Sequence, residues 1–459
     1  MSKNKEKDFI PLKKKGNEVV MIPTPKKIAE FKKEINDKIE QARTYKDLRI
    51  LWFSVAPFIN SGYGIVTKNM MARLLNKGMQ GFIAAYYGIQ PLGSINWKGM
   101  YVLPVSKMPS DPLGFNVAAE HYKRFRCDLG IFHSDFWVSA MFAKLIPNSL
   151  CFSPIDHESY PDKWLEVLRM YKWVAVPSLH AQAELKKSDI KSTFIPHGVD
   201  TKIYYPLDKT ISRQAFTLEK DKFVIGIVAA NNDDETRKGW DANFQAVKIF
   251  LDNNPDAKKD TVLFLHTDYK NPKGRNLLEL NRQVGVDKCT IWNDLYTTSI
   301  LSLPETAMAK LYNSFDVFLL LSRREGFCIP ALEAQACGTP CILTNFSAMI
   351  ERNNYGKCGW LVNPAAKIYS PLNAITAIPD PYKGAEALGE AYNNPAKLKM
   401  FSKRSVEYAK GQTWDIAVDR YMVPLLEKIW EEIRKPKEDP KGKKGEQKEW
   451  KEIAKKELK

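Results

Sequence analysis

One segment of the sequence combines a strand, a loop and a helix, and it constrains the fold more than any other stretch. The apolar run 317–321 has the composition of a buried strand. Pro330 is typical of the first turn of a helix, and Gly338 is typical of a helix end, so a helix through Ala336 is predicted. This order of elements favours an α/β fold with a parallel sheet.

The same segment carries two carboxylates. Glu325 falls in the loop, and Glu333 falls on the first turns of the predicted helix. Open α/β sheets bind ligands at the carboxyl ends of their strands, so both acids are expected near a ligand. The NH groups of Gly326 and Phe327, with the positive end of the helix dipole, suit phosphate or sugar oxygens. A structural alternative stays open, in which Glu325 caps the helix and Glu333 is solvated.

Length and composition limit the class of protein. The chain of 459 residues is long enough for two domains of ordinary size, and 44% hydrophobic residues can supply their cores. No apolar run approaches the roughly 18 to 20 residues of a membrane helix, and the basic start at 1–15 lacks the apolar core of a signal peptide. We expect a cytoplasmic protein, with a peripheral membrane position as an alternative. The seven cysteines form no C-x-x-C pair, so neither a disulfide framework nor a zinc site is indicated.

The net charge of +16 is concentrated at the two ends of the chain. Residues 1–47 hold 13 Lys and Arg against 8 Asp and Glu, and residues 435–459 hold 10 against 6. The rest of the chain carries about +7, which suits an anionic nucleotide donor, and the basic ends could also contact an anionic membrane or nucleic acid. Because the lysines alternate with glutamates and no aromatic ladder accompanies them, solvated ends are the favoured interpretation.

Two successive stretches alternate between strand and helix patterns, which predicts two doubly wound sheets. In the first, a strand is followed by a glycine-containing loop, a helix and another strand. The predicted strands of the first stretch are 48–55, 81–87, 129–133, 150–154, 173–177 and 192–195. Those of the second stretch are 223–229, 262–266, 289–292 and 317–321.

The segment 322–340 resembles the signature of retaining glycosyltransferases with the GT-B fold, in particular glycosyltransferase family 4, the glycosyl transferases group 1. The family pattern is a strand, a Ser, E-G-F, a Pro, E-A, a small residue and G-x-P, and each part is present here. The resemblance covers about residues 48–434. It implies two Rossmann-like domains facing a central cleft, and sugar transfer from a nucleotide-diphosphate donor with no metal and no further cofactor.

The resemblance also implies a division of the chain. The segment 193–206 looks like the family's end of the first domain, and a final helix is expected to cross back to that domain. The expected parts are a basic N-terminal extension with a helix (1–47), an acceptor-side domain (48–207), a nucleotide-sugar-binding domain (208–412), the crossing helix (413–434) and a Lys/Glu-rich disordered tail (435–459).

A basic pair after the first strand of the second domain resembles the family's R-x4-K-G phosphate clamp. Lys238, followed by Gly239, matches the family's lysine. Asp233 stands where the family has its arginine, so the resemblance is incomplete here. Arg237 or the neutral Asn231 would have to substitute, and a surface charge is the alternative role for Arg237.

Candidate residues in the first domain follow strand ends. Gly62 is expected near the donor diphosphate, with Ser61 and Tyr63 beside it on the acceptor side, although a glycine pair after a strand is often a simple turn. His157 matches the family's histidine that reaches the transferred sugar. His133 is a second candidate, toward the acceptor. Each histidine could instead be a core or capping residue.

The resemblance implies the following roles. Glu325, with the amides of Gly326 and Phe327, holds the donor sugar, and Glu333 binds the ribose. Lys238 and Arg237 neutralise the leaving diphosphate, so the expected catalytic residues are His157, Glu325 and Lys238. The acceptor hydroxyl could belong to a lipid, a glycan, a protein or modified nucleic acid. Alternatives are a nucleotide-sugar epimerase and a non-catalytic protein that binds nucleic acid or anionic lipid.

Overall fold

The computed structural model describes residues 9–13, 19–89, 93–105, 109–232, 237–297 and 302–435, and up to residue 22 it describes the backbone alone. The predictions for Asp233 and for the tail 436–459 lie outside these residues. The described strands form an eight-stranded sheet, a six-stranded sheet and two hairpins. The strands are β1 (Phe9–Lys13), β2 (Val19–Pro23), β3 (Arg49–Val55), β4 (Gln80–Tyr87), β5 (Ile95–Trp97), β6 (Met100–Pro104), β7 (Leu129–Phe132), β8 (Ser149–Phe152), β9 (Trp173–Val176), β10 (Thr193–Phe194), β11 (Phe223–Val228), β12 (Thr261–His266), β13 (Thr290–Trp292), β14 (Val317–Leu320), β15 (Cys341–Thr344), β16 (Gly359–Val362), β17 (Ala366–Tyr369) and β18 (Ile375–Ile378).

Helices follow most strands of both sheets, as expected for crossover connections between parallel strands. The described α-helices are α1 (Pro25–Ala42), α2 (Gly62–Asn76), α3 (Phe115–Arg124), α4 (Ala140–Leu145), α5 (Asp162–Arg169), α6 (Leu179–Lys186), α7 (Lys209–Gln214), α8 (Trp240–Asn253), α9 (Ala257–Asp260), α10 (Leu277–Val284), α11 (Glu305–Ser314), α12 (Ile329–Ala336), α13 (Met349–Arg352), α14 (Pro381–Asn393), α15 (Pro395–Lys410), α16 (Trp414–Ala417) and α17 (Val423–Arg434).

The first sheet has the order β10-β9-β8-β7-β3-β4-β6-β5. Its strands are parallel except β5, which pairs antiparallel with β6. The order reverses between β3 and β7, so the connections leaving these two strands turn to opposite sides and open a crevice at their carboxyl ends.

The second sheet has the order β13-β12-β11-β14-β15-β16, and all its pairs are parallel. In chain order this is 3-2-1-4-5-6, the order of doubly wound nucleotide-binding folds, with the crevice between β11 and β14. Every residue of these two strands is buried, because helices cover both faces of the sheet. The predicted α/β class with two doubly wound sheets is confirmed.

Several elements of the chain differ from the sequence expectations. The hairpins β1–β2 and β17–β18 were not predicted, and neither were the sheet strands β5, β6, β15 and β16. The expected final helix is present over 414–434, and it includes a π-helical segment, 418–422, between α16 and α17. The helical stretch 414–434 contacts α2, a helix next to the first sheet, through two ion pairs. Arg73 pairs with Asp415 at 2.7 Å, and Lys77 pairs with Asp419 at 2.6 Å.

Polar contacts also join the two sheets' loops near the crevices. The carboxylate of Glu351 accepts hydrogen bonds from the NH groups of Leu179 (3.0 Å) and His180 (3.1 Å), at the N-terminus of α6. Such a carboxylate satisfies two helix NH groups that have no partner within the helix. Glu158 and Ile375 exchange two backbone hydrogen bonds of 3.0 and 2.8 Å. The loop after β8 is thereby tied to β18.

The entry to the second sheet depends on one partly buried acid, Asp316. Asp316, just before β14, accepts from the NH of Val224 at 2.7 Å and from the guanidinium of Arg213 at 2.6 Å. Arg213 is 4% exposed, so its charge has little access to water. Lys209, at 2.7 Å from the other oxygen, is about half exposed. The acid links the starts of β11 and β14 to the linker helix α7.

We predict that Asp316→Ala lowers the free energy of unfolding by about 3 to 5 kcal/mol, because it leaves the buried charge of Arg213 without its partner. Lys209→Ala, which removes the exposed member of the same cluster, should cost about 1 kcal/mol or less. Urea unfolding followed by circular dichroism measures both. Equal effects of the two variants would contradict this assignment.

Candidate active site

The predicted site residues of the second domain meet at the carboxyl ends of β11 and β14. The loop after β11 ends with Lys238, and the loop after β14 contains Glu325. The Lys238 Nζ lies 2.6 Å from Glu325 Oε1, and Arg237 Nη1 lies 3.5 Å from Glu325 Oε2. Both cations therefore face one carboxylate at the crevice of the second sheet.

Gly239 allows Lys238 to approach Glu325. Its φ of +62° lies in the left-handed region, which favours glycine. A Cβ at this position would lie 1.9 Å from the carbonyl oxygen of Leu321, at the end of β14. A side chain would therefore separate the start of α8 from β14, and with it Lys238 from Glu325.

Glu325 is 5% exposed and held on several sides. Ser322 Oγ donates to its Oε1 at 2.8 Å, and its backbone NH and carbonyl both bond to Ser347 Oγ at 3.0 Å. Burial alone would raise the pKa of Glu325, but the charges of Lys238 and Arg237 outweigh it and hold this pKa below its ordinary value. Glu325 is thus an ionised acceptor with a fixed position.

The loop between Glu325 and α12 contributes two backbone NH groups. Within the described residues, the NH groups of Gly326 and Phe327 donate no hydrogen bond to another residue. Cys328, the N-cap, has a left-handed φ of 72°, which is uncommon for a residue other than glycine. The Phe327 ring itself turns away, 4.8 Å from the ring of His197 and beneath the guanidinium of Arg352. Its backbone, not its ring, is available to a ligand.

Close contact between the two domains occurs at Gly326. A Cβ on Gly326 would lie 2.3 Å from Cβ of Pro154, in the loop after β8. Beside this contact, Arg324 Nε lies 3.4 Å from Asp156 Oδ2. The loop of Glu325 therefore packs directly against the first domain.

His157 lies on that first-domain loop and is fully buried. Its Nδ1 lies 2.7 Å from Asp156 Oδ1 and 3.0 Å from the hydroxyl of Tyr160. Its Nε2 has no hydrogen-bond partner among the described residues. Burial opposes the charged form of Asp156, but His157, Arg324 and Arg237 outweigh it, so the pKa of this acid lies below its ordinary value. Because Nδ1 faces a carboxylate, a neutral His157 presents Nε2 as an acceptor.

The residues around the first glycine loop have different environments. Ser61 is the N-cap of α2 and accepts from the NH of Gly64 at 3.1 Å. Gly62 is exposed, and nothing lies within 4 Å of the position of a Cβ there. The hydroxyl of Tyr63 donates to Asp135 Oδ1 at 2.6 Å. The loop thus leaves open space at Gly62 and directs Tyr63 toward the end of β7.

His133 lies beneath Tyr63 and is 1% exposed. Its Nδ1 bonds to the carbonyl of Phe152 at 2.7 Å, and its ring packs against Trp52, Phe152 and the edge of Tyr63. Burial lowers the pKa of His133 to about 4. The ring is buried against Tyr63, and the role of His133 toward the acceptor stays a prediction.

Glu333 is 6% exposed on α12 and accepts a 2.8 Å hydrogen bond from the hydroxyl of Tyr312. Burial raises the pKa of Glu333 to about 7, although the bond from Tyr312 opposes the rise. The positive charge of Lys68, from α2, also lowers it slightly. Glu333 therefore lies in a buried environment that favours its protonated form.

Asn231 and Arg237, the two suggested substitutes for the arginine of the phosphate clamp, both lie within the described residues. Asn231 uses its side-chain amide to hold another loop, since it donates to the carbonyl of Arg275 at 2.9 Å and accepts from its NH at 3.0 Å. Arg237, by contrast, lies beside Glu325, and its charge lowers the pKa of Asp156. Of the two suggested substitutes, Arg237 lies at the crevice.

Sequence reasoning did not single out three charged residues that complete this cluster: Asp135, Asp156 and Arg324. Asp135 follows the carboxyl end of β7, Asp156 follows that of β8, and Arg324 follows that of β14. Because ligands bind at the carboxyl ends of parallel strands, this position could have identified all three from the sequence. Asp156 also directly precedes His157, and Arg324 directly precedes Glu325. The described cluster thus sets first-domain acids against second-domain cations.

Parts of the chain are similar to known glycosyltransferases. Residues 293–391 match the family model described as glycosyl transferases group 1. The chain is 26% identical over 225 residues to a D-inositol 3-phosphate glycosyltransferase of Kribbella flavida, which covers 48% of this chain and 47% of the relative. It is 27% identical over 267 residues to an MMP alpha-(1->4)-mannosyltransferase of Mycolicibacterium hassiacum, which covers 55% of each. The chain spans about half the length of these relatives.

Solved structures establish the architecture. A sucrose-phosphate synthase from Thermosynechococcus elongatus superposes with a TM-score of 0.68 at 17% identity, over 84% of this chain and 100% of the other. The HepE protein of Anabaena, in complex with UDP and glucose, superposes with a TM-score of 0.60 at 14% identity, over 84% and 98%. At these identities the likeness is one of fold.

The two facing doubly wound sheets therefore define a protein of the GT-B class. Within that class the chain is like glycosyltransferase family 4, the glycosyl transferases group 1, and this prediction is confirmed. In the described ranges, no helix is both long enough and apolar enough to cross a bilayer.

We predict that Glu333 makes stability depend on pH. Its raised pKa means that the folded state keeps a proton between pH 4.5 and about 7 that the unfolded state releases. Stability should therefore fall as pH rises through this window, by on the order of 3 kcal/mol in total. Glu333→Gln cannot ionise, so its stability relative to wild type should increase from pH 4.5 to pH 7.

Melting temperatures of wild type and variant across this pH range measure the difference. The control is Glu120→Gln, an exposed acid on α3. A Glu333→Gln difference that stays constant with pH, like that of the control, would show that Glu333 does not titrate in this window.

Proposed function

We propose that the chain is a retaining glycosyltransferase that moves a sugar from a nucleotide-diphosphate sugar to an acceptor hydroxyl. One observation carries the proposal: Lys238 and Glu325 are paired at 2.6 Å beside the unpaired NH groups at the start of α12. A cation, a fixed carboxylate and free amides at one crevice suit a substrate with both phosphate and sugar hydroxyls. The group 1 match and the transferase names of the sequence relatives support it.

The leaving diphosphate would be stabilised by the positive groups of the crevice. Lys238 and Arg237 lie on the loop after β11, and Gly62 leaves room for phosphate oxygens at the start of α2. Negative charge grows on the diphosphate as the sugar departs, so fixed cations stabilise the transition state more than the ground state. Arg237 would thereby take the place of the family's clamp arginine.

The sugar would be held between the two domains. Glu325 accepts hydrogen bonds from sugar hydroxyls, while the NH groups of Gly326 and Phe327 donate to them. His157 would contact the sugar through Nε2, which is buried and has no hydrogen-bond partner among the described residues. Glu333 would accept from the ribose. For retention, the acceptor hydroxyl approaches the face that the diphosphate leaves, and a donor phosphate oxygen takes its proton, so no protein nucleophile is required.

The proposal also includes the acceptor class, two alternative functions and the domain boundaries. The acceptor remains a lipid, a glycan, a protein or modified nucleic acid. An epimerase would bind the same donor without an acceptor, and a binding protein would bind without turnover. We keep the division at residues 47, 207, 412 and 434 as the proposed domain boundaries.

We predict that one nucleotide sugar raises the melting temperature of the wild-type protein, because a ligand that binds the folded state stabilises it by mass action. A panel of UDP-, GDP- and ADP-sugars tests this and identifies the donor class. UDP-glucose is the first choice, since the HepE fold relative was solved with UDP-glucose. No shift with any donor, in a protein that melts cooperatively, would contradict donor binding.

We predict that Lys238→Ala and Glu325→Gln each reduce kcat for sugar transfer by about 10²-fold or more, because each removes a charged group from the reacting centre. Lys248→Ala, farther along α8 in a surface ion pair, is the matched control and should keep wild-type activity. Product formation by mass spectrometry gives the rate, and NMR gives the anomeric configuration.

An inverted product would overturn the retaining mechanism. Inversion of a ring carbon without transfer would indicate an epimerase. Wild-type rates in both site variants would remove the assignment of the Lys238–Glu325 pair.

A further inference from the structure

Helix α1 has an apolar stripe that faces solvent. Ile28, Phe31, Ile35 and Ile39 are 40%, 41%, 57% and 55% exposed, and α1 contains no buried residue. Their spacing of three and four residues puts all four on one side of the helix. At 18 residues, α1 is about 27 Å long, so the stripe extends along most of an exposed rod.

The charges on α1 are ordered around this stripe. Successive residues of an α-helix are rotated by about 100° around the helix axis, so each side chain has an angle from the centre of the stripe. The lysines nearest the stripe lie about 55° to 85° from that centre, on both sides. Every acid of the helix lies about 105° to 165° from it. These lysines are Lys27, Lys32 and Lys38. The acids are Glu30, Glu34, Asp37 and Glu40. Basic residues therefore border the apolar surface, and the acidic residues occupy the opposite side.

The C-terminal end of α1 is fixed to the rest of the protein. Arg43, its C-cap, pairs with Asp128 and lies 5.1 Å from the ring of Trp430 on α17. Arg434 donates to the carbonyl of Glu40 at 2.5 Å. The helix thus has a rigid attachment at one end, while its apolar stripe remains exposed.

We propose that α1 is a docking helix for an anionic membrane surface, in which the stripe enters the boundary between headgroups and acyl chains. Bordering lysines can extend their charged ends to lipid phosphates while their stems stay near the apolar region. α1 is not apolar enough to span a bilayer, so it lies parallel to the surface.

Two other occupants fit the charges less well. A second copy of α1 would bring the bordering lysines of both helices together, where they repel. Nucleic acid would gain little from the apolar stripe, because its backbone attracts charge. A lipid surface of negative charge satisfies both the stripe and its border.

Flotation of the full chain with vesicles tests this proposal. We expect binding to phosphatidylcholine vesicles that contain phosphatidylserine, and much weaker binding to pure phosphatidylcholine. The double variant Ile35→Ser with Ile39→Ser should bind about tenfold or more weakly, since it removes apolar surface that enters the lipid. Ile211→Ser, at a 61% exposed isoleucine on α7, is the matched control and should bind like wild type.

Two further double variants distinguish the effect of the lysines that border the stripe from the effect of net charge on vesicle binding. Lys32→Glu with Lys38→Glu should weaken binding about tenfold or more. Lys26→Glu with Lys33→Glu changes the net charge equally, but both positions lie about 155° to 175° from the stripe, so binding should fall much less. Equal losses in the two pairs would overturn the ordered border.

Other results would assign the stripe differently and overturn the proposal. A wild-type dimer that the serine variant converts to a monomer would make a second copy the occupant. Loss of flotation after removal of residues 436–459, with the serine variant unaffected, would make the tail the anchor. Because α1 lies outside both sheets, vesicle binding and donor binding can fail independently.

Discussion

The contact between Gly239 and the carbonyl of Leu321 is the constraint on which the site depends. It lets the first turn of α8 reach the end of β14, and a side chain at this position would fill the space. The strand order places β11 and β14 side by side, so the loops that follow them share one crevice. Lys238 and Glu325 pair there because the backbone brings them together, 87 residues apart in the chain.

The second domain alone does not complete the arrangement. Gly326 packs against Pro154 with no room for a Cβ, which sets the distance between the two domains. At that distance Arg324 reaches Asp156, and Asp156 in turn fixes the ring of His157. A buried carboxylate such as Asp156 is costly if it is unpaired, so its contact with Arg324 of the facing domain contributes to the packing of the two domains against each other.

The acids of the crevice differ in their environments. Cations hold the pKa of Glu325 below its ordinary value, whereas burial near Tyr312 raises that of Glu333 to about 7. One acid is therefore charged at neutral pH, and the other is close to its titration range. Two acids eight residues apart in one segment thus differ in ionisation because their buried surroundings differ.

The sequence by itself determined the two doubly wound sheets and the residues of the E-G-F segment, because strand and helix periodicities and glycine positions are local properties of the chain. Its resemblance to the family pattern also pointed to Lys238 and His157. The partnership of Arg324 with Asp156, the support of Tyr63 by His133, and the raised pKa of Glu333 were decided by tertiary structure. They depend on burial and on distances between distant segments, and no local pattern records either quantity.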